Sequence, residues 1–145
     1  MNETIVNFGY PHTLVAEWDH WVLMVRVDQV TIGSLILAAK SDATAYGDLN
    51  DEFFTEQKHI ITELEAALST VMDYQKINYL MLMMVDPHVH FHVIPRYEKP
   101  KQFDDVEIED AGWPGPPNLG HFQTLSSDQI DKMKALLQPH FKTNI

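Results

Sequence analysis

The segment His88-Val89-His90-Phe91-His92-Val93-Ile94 sets three imidazoles at alternate positions. Successive side chains of a strand point to opposite faces. The pattern therefore predicts His88, His90 and His92 in a row on one face, with Val89, Phe91 and Val93 entering the core on the other. Imidazoles titrate near neutral pH, and on a rigid strand they suit the handling of phosphate oxygens and protons. The middle ring, His90, suits nucleophilic attack: a neutral imidazole needs no separate base if one nitrogen is free and the other donates to a carbonyl that sets the tautomer. In-line attack of His90 on phosphorus would give a phosphoramidate for water or another acceptor to resolve, while the flanking rings stabilise equatorial oxygens or protonate the leaving group. A metal site is the competing reading. At about 3.3 Å rise per residue, His88 and His92 lie roughly 13 Å apart, too far to share one ion, although two adjacent rings could join an acid from elsewhere. The third reading is a plain polar strand surface facing solvent.

Fewer signals surround the triad. Arg26 and Arg96 are the only arginines, and either could grip a phosphate bidentately or sit in a surface ion pair. Trp113, in the run Gly112-Trp113-Pro114-Gly115-Pro116-Pro117, could stack on a base or simply anchor its loop. Asn78 could hydrogen-bond near the site or play a structural part. Met81, Met83 and Met84 read as core filling. The five acids between Asp104 and Asp110 read as a solvated loop, with a regulatory partner or a divalent ion as the alternative.

The elements that must position these residues follow from apolar spacing. Residues 1–12 read as a polar lead-in. Apolar, β-branched runs at 13–16 and 21–27 predict a hairpin, and 34–39 a buried strand. No glycine pattern of the phosphate-cradling kinds follows it. Asn50 is a plausible helix N-cap ahead of Asp51 and Glu52, and Phe53, Ile60, Ile61, Leu64, Ala67, Leu68, Val71 and Met72 form one stripe of a long amphipathic helix ending near 73–76. Residues 77–85 predict a strand apolar on both faces, Asp86-Pro87 a turn, and 88–94 its hairpin partner. Residues 98–120 read as irregular chain, and a capping box from Ser126 to Gln129 opens a short helix that Pro139 stops. The order argues for an α+β fold: an antiparallel sheet of about five strands, covered on one face by the long helix, with a short C-terminal helix.

Composition limits the ligand. At 145 residues and 45% hydrophobic, the chain suits one domain (1–145) with its core at about 13–97 and a C-terminal loop and helix at 98–145. A formal net charge of −11 disfavours long nucleic acid and anionic membrane surfaces, which are bound through many Lys and Arg. The absence of cysteine removes disulfides, thiolate metal sites and a cysteine nucleophile. No secretory start or membrane-spanning run is read, so a soluble cytoplasmic protein is expected.

The triad and the Pro95-Arg96 that follows it resemble the histidine-triad (HIT) superfamily, in particular its dinucleoside-polyphosphate hydrolase branch, over roughly residues 13–97. The resemblance implies transfer or hydrolysis of nucleoside monophosphate groups through a nucleotidyl-histidine intermediate. It implies His90 as nucleophile, His92 contacting the scissile or leaving oxygen and His88 buttressing the site. It further implies a homodimer joined through the helix and a sheet edge, with a small nucleotide as partner; no cofactor and no metal are expected. Three positions depart from the pattern. Met83-Met84 stands where members often have Gly-Gln, Lys40-Ser41-Asp42 stands where many have another His, and Arg26, with Asp28 nearby, stands where an Asp or Asn often meets the ribose. Arg96, Arg26, Asp28, Asn78 and Trp113 are accordingly the expected substrate-binding residues. The alternatives to an enzyme are a nucleotide-binding module with little catalysis and a His-based metalloprotein.

Overall fold

The structure is a computed structural model that describes residues 1–142. Its centre is a five-stranded antiparallel sheet in the order β1-β2-β4-β6-β5. β1 (Leu14–Glu17) and β2 (Trp21–Val25) form the expected hairpin, closed where Trp18 N–H donates to Trp21 O at 2.9 Å. The two-residue β3 (Asp28–Gln29) leaves the sheet, and Gly33 then turns the chain back at φ +91° into β4 (Leu35–Ala39). A Cβ at Gly33 would come within 3.1 Å of Met72 Cγ and 3.3 Å of Pro95 Cγ, so a side chain would crowd both on a φ that already favours glycine.

α2 (Asp51–Met72) crosses the sheet and buries Phe53, Ile60, Leu64, Ala67, Leu68 and Met72. That set is the core of the stripe read from the sequence. Asn50 takes the N-cap position, but its side chain makes no capping bond. Asp73 ends the helix in the left-handed region and returns its N–H to Ser69 O. The chain then adds β5 (Lys76–Leu80) at the sheet edge and doubles back as β6 (His90–Arg96) between β5 and β4.

Four expectations about the elements need correction. The strand predicted for 77–85 stops at Leu80, and Leu82, Met84 and Val85 are solvent-exposed, Met84 at 85% and Val85 at 93%. Their apolarity does not come from core packing. β6 begins at His90, so His88 precedes the strand. The acidic stretch is not plain loop: β7 (Lys101–Phe103) and β8 (Val106–Ile108) form a hairpin turning at Asp104, φ +51°. Val106 and Ile108 enter the core while Asp105, Glu107 and Glu109 stay exposed, an alternation that the density of charge had hidden. Finally, residues 1–12 are not a lead-in. α1 (Glu3–Asn7) caps itself through Asn2, whose side-chain oxygen accepts from Ile5 N–H at 2.9 Å, and it buries Ile5 completely.

The sheet therefore has two covered faces. Trp21, Leu23, Val25, Leu35, Leu37 and Val93 meet α2. α3 (Ser127–Leu137) joins the same side through Ile130, Met133 and Leu137, after a short β9 (Gln123–Thr124) pairs with β3 and the capping box of Ser126 and Gln129 forms as expected. Leu14, Val22, Met24, Ile36 and Ala38 face the other way, under Ile5, Phe8 and Tyr10. A five-residue helix is too short to persist alone, so its order comes from this burial. The triad lies on that second face.

Candidate functional site

His90 pairs across the sheet with Ala38, and His92 with Ile36. Both rings thus emerge on the face that carries α1, while Phe91 and Val93 pack toward α2. The rings touch edge to face, with centroids 5.2 Å apart. Phe8 lies over both, 5.3 Å from His90 and 6.0 Å from His92, and leaves them 2% and 8% exposed. His88, half-buried and just outside the strand, meets Thr4 instead.

The hydrogen bonds assign the protons. His90 Nδ1 lies 2.7 Å from the carbonyl oxygen of His88, an acceptor only, so Nδ1 carries the hydrogen, and in the neutral ring Nε2 keeps its lone pair. Arg26 Nε, a donor only, lies 3.4 Å from His92 Nδ1, so that nitrogen accepts and neutral His92 carries its hydrogen on Nε2. Burial first, then the charges of Arg26 and His90, pushes the His92 pKa down to about 4, and His92 is uncharged at neutral pH. Arg26 also donates through Nη1 to Asp28 O and makes no ion pair with a carboxylate among the described residues. Burial shifts its pKa downward. A half-buried guanidinium that makes no ion pair, beside a neutral donor ring and a ring with a free nitrogen, is an arrangement suited to an anionic phosphoryl group.

A pocket of about 250 Å³ opens here, lined by Phe8, Arg26, His90 and His92 on the sheet side and by Leu82, Met83, Met84, Val85, Asp86 and Leu119 from loops. Met83 adopts φ +50°. That is the left-handed region glycine favours, and the loop presents thioether and aliphatic groups to the pocket. A second hollow of about 220 Å³ shares Phe8 and Arg26 and reaches Asp28, whose carboxylate accepts the Thr124 hydroxyl at 2.7 Å.

The other expected binding residues are gathered elsewhere. Asn78, Arg96 and Trp113 line a separate pocket of about 320 Å³ with Lys76 and the Pro114–Gly115 turn. Arg96 is 4% exposed and fully engaged: Nε and Nη2 hold both oxygens of Asp110 at 2.7 and 2.9 Å, and Nη1 donates to Asn78 Oδ1 at 2.7 Å. Its charge is spent on a buried ion pair, and Asp110 departs from the solvated loop expected of its run. Among the described residues no group of three or more His, Cys, Asp or Glu is placed to hold a metal ion, and no helix is long and apolar enough to cross a membrane.

Thr4 and Phe8 were missed by sequence reasoning. The signal was present in the N-cap pattern Asn2-Glu3 and in Ile5 and Phe8 at a spacing of three, but the stretch is too short to show periodicity.

Relatives of the same shape are known. A histidine triad (HIT) protein from Sinorhizobium meliloti superposes with a TM-score of 0.76 at 19% identity, covering 97% of this chain and 96% of its own. A histidine triad protein from Marinobacter aquaeolei gives 0.66 at 21%, covering 97% and 93%. Plasmodium falciparum diadenosine triphosphate hydrolase gives 0.67 at 12%, covering 90% and 76%. No curated protein matches in sequence. The family model described as HIT domain matches residues 8–99, which is 92 of the 145 residues and includes the whole triad strand. The chain belongs to the HIT-domain family.

Proposed function

We propose that the protein is a nucleotide hydrolase or nucleotidyl transferase that cleaves a nucleoside phosphoanhydride or phosphoramidate, such as a dinucleoside polyphosphate, through a covalent intermediate on His90. The observation that carries this reading is the 2.7 Å bond from His90 Nδ1 to His88 O, which leaves Nε2 as a free nucleophile. The shared shape with a diadenosine triphosphate hydrolase supports the substrate class.

In the first step the Nε2 lone pair forms a bond to phosphorus, and the bond from phosphorus to the leaving oxygen or nitrogen breaks, its electron pair going to the leaving group. Positive charge developing on the ring is stabilised through Nδ1–H against the His88 carbonyl. Neutral His92 donates from Nε2–H, and Arg26 supplies the cation, to the phosphoryl or leaving oxygens. In the second step water or another acceptor attacks phosphorus, the N–P bond returns its pair to Nε2, and the proton lost by the acceptor balances the one gained by the leaving group. His88 acts as buttress. The hollow bounded by Arg26 and Asp28 has the polarity to take the ribose.

The test is His90→Ala, with folding checked by circular dichroism. Turnover of dinucleoside polyphosphates and nucleoside phosphoramidates should fall by at least about 1000-fold, and a slow substrate should leave a nucleotide mass on a peptide containing His90 in the wild-type protein alone. Full activity in the variant overturns the reading. A second reading, nucleotide binding with little turnover, is favoured by the apolar loop at 82–85, which offers no side-chain donor to a phosphate. Mononucleotide binding in calorimetry without cleavage of any substrate in that panel would select it.

A further inference from the structure

We infer that Thr4, on the N-terminal helix, is a positioning residue for His90, acting through both polar groups of His88. Residue 88 lies outside the β6 ladder, yet its carbonyl sets the tautomer of His90. On its C-terminal side it is held by Val89, whose N–H donates to Ala43 O at 3.2 Å and whose carbonyl accepts from Ala39 N–H at 3.0 Å. On its own position the clamp is a single hydroxyl. Thr4 Oγ1 accepts the His88 backbone N–H at 3.3 Å and lies 2.8 Å from His88 Nδ1.

The proton count gives that hydroxyl a direction. One lone pair of Oγ1 is taken by the backbone N–H, and the hydroxyl hydrogen has His88 Nδ1 as its acceptor within hydrogen-bond distance. Thr4 therefore donates to Nδ1, and neutral His88 carries its hydrogen on Nε2. Two bonds from one atom fix both the backbone and the ring of residue 88. With residue 88 fixed, its carbonyl stays on the line of His90 Nδ1–H. Thr4 is 1% exposed, so its hydroxyl is shielded from competing water.

Thr4 is itself held from both sides. The Asn2 side chain donates to Ala39 O at 3.0 Å and Ser41 O at 2.7 Å, which staples the helix start to the end of β4. Asn7 reaches the Asp86 carboxylate at 3.2 Å on the far side. The short helix thus bridges the two segments that flank the triad.

The test compares Thr4→Val, which keeps shape and removes the hydroxyl, with Thr4→Ser, which restores it. Nitrogen-labelled imidazole correlation spectra of the full chain at neutral pH should show His88 protonated on Nε2 and His90 on Nδ1. In T4V both rings should move to mixed tautomers, and in T4S both should return. If T4V fails to fold, Asn2→Ala is measured instead and should produce the same mixing. Unchanged ring signals in a folded T4V or N2A variant overturn the inference. The kinetic arm rests on His90 as nucleophile: T4V should lower kcat on the order of 10- to 100-fold with little change in KM, and T4S should recover it. The spectra need no substrate, so a failure of the proposed reaction and a failure of this inference are read separately.

Discussion

His92 shows how a residue type acquires a role from its surroundings. An imidazole on an open strand titrates near 6.5, whereas here burial under Phe8 and the Arg26 guanidinium lower it to about 4. The unfolded chain therefore takes up a proton at higher pH than the folded chain. The stability from keeping His92 neutral is complete above about pH 6.5 and is lost as pH falls from there toward 4, below which both states are protonated. His92→Asn keeps an acceptor for Arg26 but does not titrate. Urea unfolding of the two proteins between pH 7 and 4 should give curves that diverge, the wild type losing about 3 kcal/mol more than the variant over that interval. Parallel curves would place His92 in solvent. In the proposed reaction the same low pKa leaves little imidazolium at neutral pH to serve as an acid, which favours a hydrogen-bonding part for His92.

The elements divide by the length of their signal. α2 and the β1–β2 hairpin were legible because a stripe of buried positions over 22 residues, or alternation bounded by turn residues, has few other solutions. Short elements lack that redundancy. α1 offers five residues, and β7 and β8 three each, inside stretches whose charge or polarity dominates any average. The loop at 81–85 misled in the opposite sense, since its five apolar residues were read as buried when four of them, Leu82 to Val85, line a pocket and three of these are solvent-exposed. The weight placed on α1 can be measured: Ile5→Ala removes its completely buried anchor and should destabilise the protein by about 2–4 kcal/mol. It should also abolish amide protection in residues 3–8 before the rest of the fold opens. A change under about 0.5 kcal/mol would mean that the segment is the passive lead-in its polarity suggested.

For the whole molecule, the net charge of −11 is carried in part by the β7–β8 hairpin. Asp105, Glu107 and Glu109 occupy the outer side of the β7–β8 hairpin, whereas the triad pocket holds Arg26 and, on its rim, one carboxylate, Asp86, which Asn7 engages. A small anion can be held there although a long one would be repelled by the surrounding surface. The sheet is also open at β5, which among the described residues pairs on one side alone. We expect two copies to join along that edge beside α2, as the family resemblance implies. Light scattering should give twice the 16.7 kDa chain mass, independent of dilution over the assay range, and a mass of one chain would overturn the expectation.

The sequence by itself determined the α+β class, the five-stranded antiparallel sheet, the long helix and the side-by-side placement of His90 and His92, because these depend on periodicities of two and of about three and a half that few competing folds satisfy. Tertiary structure decided what lies opposite them. The seating of Thr4 on His88, Phe8 over the rings, Arg26 against His92, and Arg96 drawn away into a buried pair with Asp110 are contacts between residues up to 84 positions apart. Spacing along a chain reports the face on which a side chain emerges, whereas which distant group meets it there is settled only when the elements pack and each buried polar atom must find its partner.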